Sequence, residues 1–178
     1  EASNLIHRMI KRESTDVGVM TGYKDFDALT YGLHPQQMIV LAARPSVGKT
    51  SLAMNITENI ACGIAQNDFK KSGVLVFNLE MGADQLAMRL LTCRAKVSIA
   101  RIRDGFCNAD EQKRLAIAAK ELKNAPIWID DSASTGILEL RAKARRLTQK
   151  EDVKLIVIDY LQLISGDSRM PRENQIAD

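Results

Sequence analysis

At 178 residues, with 46% hydrophobic and 26% charged side chains, the chain can bury a sizeable core as one globular domain. No apolar run approaches the roughly 20 residues that a bilayer-crossing helix needs, so a membrane span is excluded. A formal net charge of +3 is too small to announce a polyanion partner, and any nucleic-acid reading has to rest on motifs.

The chain begins Glu1-Ala2-Ser3, without a basic and apolar leader, which reads as an excised piece with no signal peptide. Ser3 is placed to cap a short amphipathic helix that carries Leu5, Ile6, Met9 and Ile10 on one face, and a polar stretch from Lys11 to Asp16 follows. That segment, 1–16, reads as a docking helix and its connector; packing on its own core is the alternative. Residues 17–178 read as the domain proper.

Four short apolar runs rich in β-branched residues come next, Met38 to Ala42, Val74 to Leu79, Ile127 to Ile129 and Leu155 to Ile158. Each is expected to be a strand buried on both faces. The segments between them have helical spacing and the length of crossovers, which predicts an α/β fold with a mainly parallel sheet and helices on both faces. Asn108 followed by Glu111 forms a capping-box pattern, and Ser132, Ser134 and Gly136 precede a helical run from Ile137 to Lys150. The tail from Ser165 to Asn174 reads as an exposed loop.

Three cysteines, Cys62, Cys93 and Cys107, are an odd number without CxxC spacing, which argues against a disulfide framework and a zinc site and fits a reducing, cytoplasmic setting. The two histidines, His7 and His34, stand far apart with no ligand spacing and are given no chemistry.

The strongest chemical signal is the run Ala43-Arg44-Pro45-Ser46-Val47-Gly48-Lys49-Thr50-Ser51, placed after an apolar run and before a helix. Backbone N–H groups of such a loop, with the positive end of the next helix, cradle phosphates, and Gly48 permits close approach. Lys49 is expected to neutralise the β- and γ-phosphates of ATP, and Thr50 to place its hydroxyl on Mg²⁺. The general pattern begins with Gly, where this chain has Ala43.

Asp159 ends the last apolar run, where a parallel sheet delivers a carboxylate to its ligand edge; a Mg²⁺-side role is expected there, a structural one being the alternative. Glu80 ends the run from Val74 and is the candidate general base for the attacking water. As a helix N-terminal residue it has a structural alternative, with Asn78 and Asp84 as neighbouring polar groups. The pair Asp130-Asp131 is expected to order a loop.

Taken in order, Thr21-Gly22 with Asp25, Asp27 and Leu29, then AARPSVGKT from Ala42, NLEM from Asn78, Arg89, IDDS from Ile129 and IDYLQLI from Ile158 resemble the bacterial replicative DNA helicase family, DnaB type, over nearly the whole chain. Ala43 is common at that position in the family. The resemblance implies a RecA-like P-loop NTPase of which this chain holds the N-terminal part. Lys49 and Glu80 would be catalytic, Thr50 and Asp159 magnesium-side, and ATP and Mg²⁺ the cofactors. It further implies a hexameric ring moving 5′ to 3′ on single-stranded DNA, with primase and a helicase loader as partners. The loop that carries Arg169, Arg172, Glu173 and Asn174 resembles the family's DNA-contacting loop, and backbone contacts by such groups suit sequence-independent tracking.

In the family, the arginine finger and the remaining strands lie beyond the position of Asp178, and the primase-binding domain lies before Glu1. Loss of an arginine supplied in trans costs about 10³ to 10⁵ in GTPase rate, so the chain alone is expected to bind nucleotide and hydrolyse it poorly. Tyr31-Gly32-Leu33 departs from the family's frequent double Gly, which concerns the local turn. A RecA-like recombinase or clock-type ATPase, and a nucleotide-gated scaffold or loader, are the competing readings.

Overall fold

A computed structural model describes residues 18–44, 46–64, 71–132 and 136–160. The first element is α1 (Lys24–Thr30), followed by α2 (Lys49–Ala61), β1 (Gly73–Asn78), α3 (Ala83–Ala95), α4 (Ile99–Arg103), α5 (Ala109–Lys123), β2 (Ile127–Asp130), α6 (Ile137–Thr148) and β3 (Val153–Asp159). The predicted helix 1–16, Pro45, Ser134 and the loop residues Arg169, Arg172, Glu173 and Asn174 lie outside the described residues.

The three strands run parallel in the order β2-β1-β3. Alternation along each strand sorts its apolar side chains onto two faces. Val74 and Val76 of β1, with Ile127 and Ile129 of β2 and Leu155 and Val157 of β3, meet Met54 and Ile60 of α2 and Leu86 and Leu90 of α3. Leu75 and Phe77 meet Leu140 and Ala144 of α6 on the other side. The connection from β1 to β2 therefore runs over one face and the return to β3, in the opposite direction, over the other, so that both crossovers have the same hand. A third cluster, Ala95, Val97 and Ala118, fastens α3 to α5.

Local signals explain several element ends. The side chain of Asn108 accepts from Glu111 N while Glu111 accepts from Asn108 N, the reciprocal capping box that the spacing predicts for α5. Gly136 is the N-cap of α6, which ends at Thr148 rather than Lys150. Tyr31 closes α1 with φ 57, a left-handed conformation that glycine enters at less cost. The backbone then pairs Val19 with Leu33, and the α-carbon of Gly32 comes so close to Gly18 that an added Cβ would meet a backbone atom at 2.7 Å.

One expected strand is corrected. Met38 to Ala42 forms no strand, and Met38, Ile39, Val40 and Leu41 are exposed. An apolar β-branched run becomes a strand only where a neighbour takes its N–H and C=O groups. Among the described residues the sheet ends at β3, whose outer edge this run does not join. Among the described residues no helix is long and apolar enough to cross a membrane.

Candidate functional site

The expected phosphate loop leads into the N-terminus of α2. Val47 N donates to Arg44 O at 3.3 Å, and Gly48, at φ 108, turns the chain into the helix, with its carbonyl accepting from Leu52 N. Only glycine holds that φ without strain. The first turn of α2 contains no acidic residue to quench the positive end of the helix, which favours an anion. Ala43, Arg44, Ser46, Val47 and Ser51 are exposed around it, and Lys49 and Thr50 are half-buried.

Lys49, Thr50 and Asp159 are brought into direct contact. Asp159, only 4% exposed at the end of β3, takes Lys49 Nζ on Oδ1 at 2.8 Å and Thr50 Oγ1 on Oδ2 at 2.6 Å. The Lys49 ammonium also rests over the Tyr160 ring, 4.4 Å from its centroid. Each oxygen of this buried carboxylate thus has a donor.

Glu80 stands at the same sheet edge, two residues beyond the pairing of Asn78 with Asp159. Its side chain is exposed and forms no hydrogen bond or ion pair with Lys49, Thr50 or Asp159. Its backbone is fixed: Asn78 Oδ1 accepts from Glu80 N at 3.0 Å and from Met81 N at 2.7 Å. Asp131 Oδ2 then accepts from Ala83 N at 2.8 Å, which caps α3 from the loop after β2. Asp130 takes Ser132 N at 3.0 Å and Lys143 at 2.9 Å. The loop-ordering expected of the pair Asp130-Asp131 is what these contacts do.

Two networks support the site from behind. Asp27 accepts from Thr21 N, Thr21 Oγ1 and Gly22 N, and Thr21 O in turn accepts from Asn59 of α2. Arg94 of α3 joins Glu58 of α2 to Glu121 of α5, at 3.3 and 2.7 Å. Burial raises the Glu58 pKa, and the Arg94 guanidinium works against it. A cavity of about 370 Å³ between β2 and α6, floored by Phe77 and Trp128, lies on the face away from α2 and holds none of the predicted site residues.

The chain is similar to known proteins both in sequence and in fold. The DnaB-like helicase C terminal domain family matches residues 18–178. The chain belongs to that family. Among relatives of this DnaB-like domain, the replicative DNA helicase DnaB of Geobacillus stearothermophilus is 39% identical over 170 residues, covering 96% of this chain and 36% of that protein. DnaB of Rhodothermus marinus is 44% identical over 155 residues, covering 87% of this chain and 16% of the relative. The chain thus spans about a third or less of these curated relatives.

Among solved structures, a DnaB-like replicative helicase described with its interactions with primase superposes with a TM-score of 0.85 at 27% identity, covering 99% of this chain and 42% of that one. A second solved structure, an ATPase domain, gives 0.83 at 28% identity, covering 99% and 62%. The DnaB-like domain is therefore RecA-like in fold, as the motif order implies. Relatives named as replicative helicases do not favour the recombinase, clock-type or scaffold alternatives.

Reading the sequence alone misses Tyr160 as a partner of Lys49, and Asn59 and Arg94 as ties between α2 and its neighbours. Asn78 appears in it as the first residue of NLEM and as a polar group near Glu80, with no contact of its own. A signal for Asn78 was available, since an Asx residue two or three positions before backbone N–H groups that need an acceptor forms an Asx turn.

Proposed function

We propose that this chain is the ATP-binding part of a replicative DNA helicase motor, with residues 17–178 as the ATPase domain and residues 1–16 as its linker. The observation that carries the reading is the convergence of Lys49 and Thr50, at the start of α2, on Asp159, at the end of β3. A cation, a hydroxyl and a carboxylate meet there beside a helix N-terminus free of acidic residues, as binding of a triphosphate requires.

The donor set fits a magnesium ion. Thr50 Oγ1 and Asp159 Oδ2 are hard oxygen donors 2.6 Å apart, suited to a cation that keeps waters and phosphate oxygens as its other ligands and that Asp159 would hold through water. Thr50 and Asp159 would hold the ion, which when bound neutralises charge on the phosphates. Lys49 would bind and orient the terminal phosphates, with loop N–H groups from Ala43 through Ser51 around them. Glu80, exposed at the same edge, would take the proton of the attacking water.

Turnover would drive 5′ to 3′ movement along single-stranded DNA in a hexameric ring, with Arg169, Arg172, Glu173 and Asn174 on the DNA and with primase and a helicase loader as partners. The named interaction of a structural neighbour with primase supports that choice. The first test is titration of Mg²⁺-ATP into the chain and into Lys49→Ala, followed by single-stranded DNA. Magnesium-dependent binding lost in the variant, with an affinity that responds to DNA, is expected. Equal binding by both proteins would reject the assigned phosphate site.

A further inference from the structure

We infer that Asn78 is a positioning residue that links the terminal phosphate of ATP to the turn carrying Glu80; this rests on the nucleotide reading above. Asn78 is 1% exposed, at the last position of β1. Its Oδ1 accepts from both Glu80 N and Met81 N. Those two donors fix the orientation of the amide, because a flipped side chain would set its NH₂ group against two N–H groups.

The amide nitrogen is thereby left on the other side of Cγ, and it is a buried polar atom with no hydrogen-bond partner among the described residues. A buried donor without an acceptor carries the full cost of its desolvation, so such a group in a functional region points to an acceptor that arrives. An ionised aspartate could hold the same turn with an oxygen. The amide adds a donor on its far side.

Its place in the sheet says what that acceptor is. Asn78 pairs with Asp159, and paired residues of parallel strands share a face. Val74 and Val76 before Asn78, and Leu155 and Val157 before Asp159, pack beneath α2, so both polar residues end their strands on the side of the phosphate loop. Asp159 there meets Lys49 and Thr50. An anionic oxygen of the terminal phosphate is the acceptor this edge is built to receive. One planar group then touches the γ-phosphate with its nitrogen and holds the Glu80 backbone with its oxygen, so that loss of the γ-phosphate is felt at the base.

Asn78→Asp keeps the oxygen for the turn and removes the donor. Calorimetric titration with magnesium is expected to show ATPγS affinity lowered about tenfold or more, as for a lost hydrogen bond to a charged acceptor, with ADP affinity within about twofold of wild type. The wild-type chain gives a second readout. The side-chain amide protons of Asn78, assigned by through-bond NMR, are expected to move downfield with ATPγS and not with ADP. Equal effects on both nucleotides, or an Asn78 amide indifferent to ATPγS in a chain that binds it, would overturn this role and leave the nucleotide reading standing. A wild-type chain that binds neither nucleotide would overturn both.

Discussion

The Lys49 ammonium lies 2.8 Å from Asp159 Oδ1, so the cation proposed for phosphate and the carboxylate proposed for magnesium are each other's partner. Binding of Mg²⁺-ATP must exchange this ion pair for contacts to phosphate and metal. Asp159→Asn removes the metal-side charge and frees Lys49. The expected result is ATP affinity without magnesium at or above the wild-type value, while the gain from adding magnesium shrinks about tenfold, the equivalent of roughly 1.4 kcal/mol. Titrations with Mg²⁺ and with EDTA check it.

Glu80 has a fixed backbone and an exposed side chain. Glu80→Gln retains size and polarity while removing the base. ATP turnover by the full-length protein should fall about 10² to 10⁴-fold, the range of a lost general base, with nucleotide affinity changed less than about twofold. Unchanged turnover would show that Glu80 is only the first residue of a helix approach.

Asp27 accepts three hydrogen bonds, from Thr21 N, Thr21 Oγ1 and Gly22 N. Thr21 is fully buried, so Asp27→Ala leaves donors stranded where water does not readily reach. A loss of about 2 to 3 kcal/mol in urea unfolding is expected. Thr21 O is also the acceptor for Asn59 of α2, so amide exchange in that helix should quicken as well.

Burial alone would raise the Asp130 pKa, but hydrogen bonds from Lys143 and Ser132 outweigh it and bring the carboxyl below its ordinary value. The folded protein then binds fewer protons than the unfolded chain at acid pH. The stabilisation is complete above about pH 5 and is lost as pH falls through about 4 toward the folded pKa. Asp130→Asn should therefore cost about 1 kcal/mol at pH 7 and less near pH 3. Urea midpoints of both proteins at the two pH values measure the difference.

The parts of the fold that were legible in the sequence are those whose physics is local. The Asn108–Glu111 cap and the loop from Gly48 into α2 depend on neighbouring residues and appear where the spacing places them. β1 differs from the expected run by one residue at each end, and β2 by one residue at its C-terminal end. β3 starts at Val153 rather than Leu155 because pairing with β1 extends it through the exposed Lys154, which hydrophobicity alone would not include. Met38 to Ala42 has the right composition for a strand, but composition does not reveal whether a neighbour stands beside it.

The candidate site divides in the same way. The motif order marks Lys49, Thr50, Glu80 and Asp159 as chemical groups. Their grouping depends on contacts between α2 and β3, and the structure brings three of the four together. Tyr160 against Lys49, Arg94 between Glu58 and Glu121, and the unmatched donor of Asn78 arise only from tertiary placement.

The exposed run Met38-Ile39-Val40-Leu41 and the outer edge of β3, which no other described strand joins, also bear on how the chain behaves in concentrated solution. The run is an uncharged stretch of high β-propensity, and among the described residues no strand pairs with the outer edge of β3, Val153–Asp159. Copies can satisfy both by strand exchange, so light scattering should rise steeply with protein concentration. A charge placed at Val40, as in Val40→Lys, should blunt that rise without touching the polar contacts around Asp159.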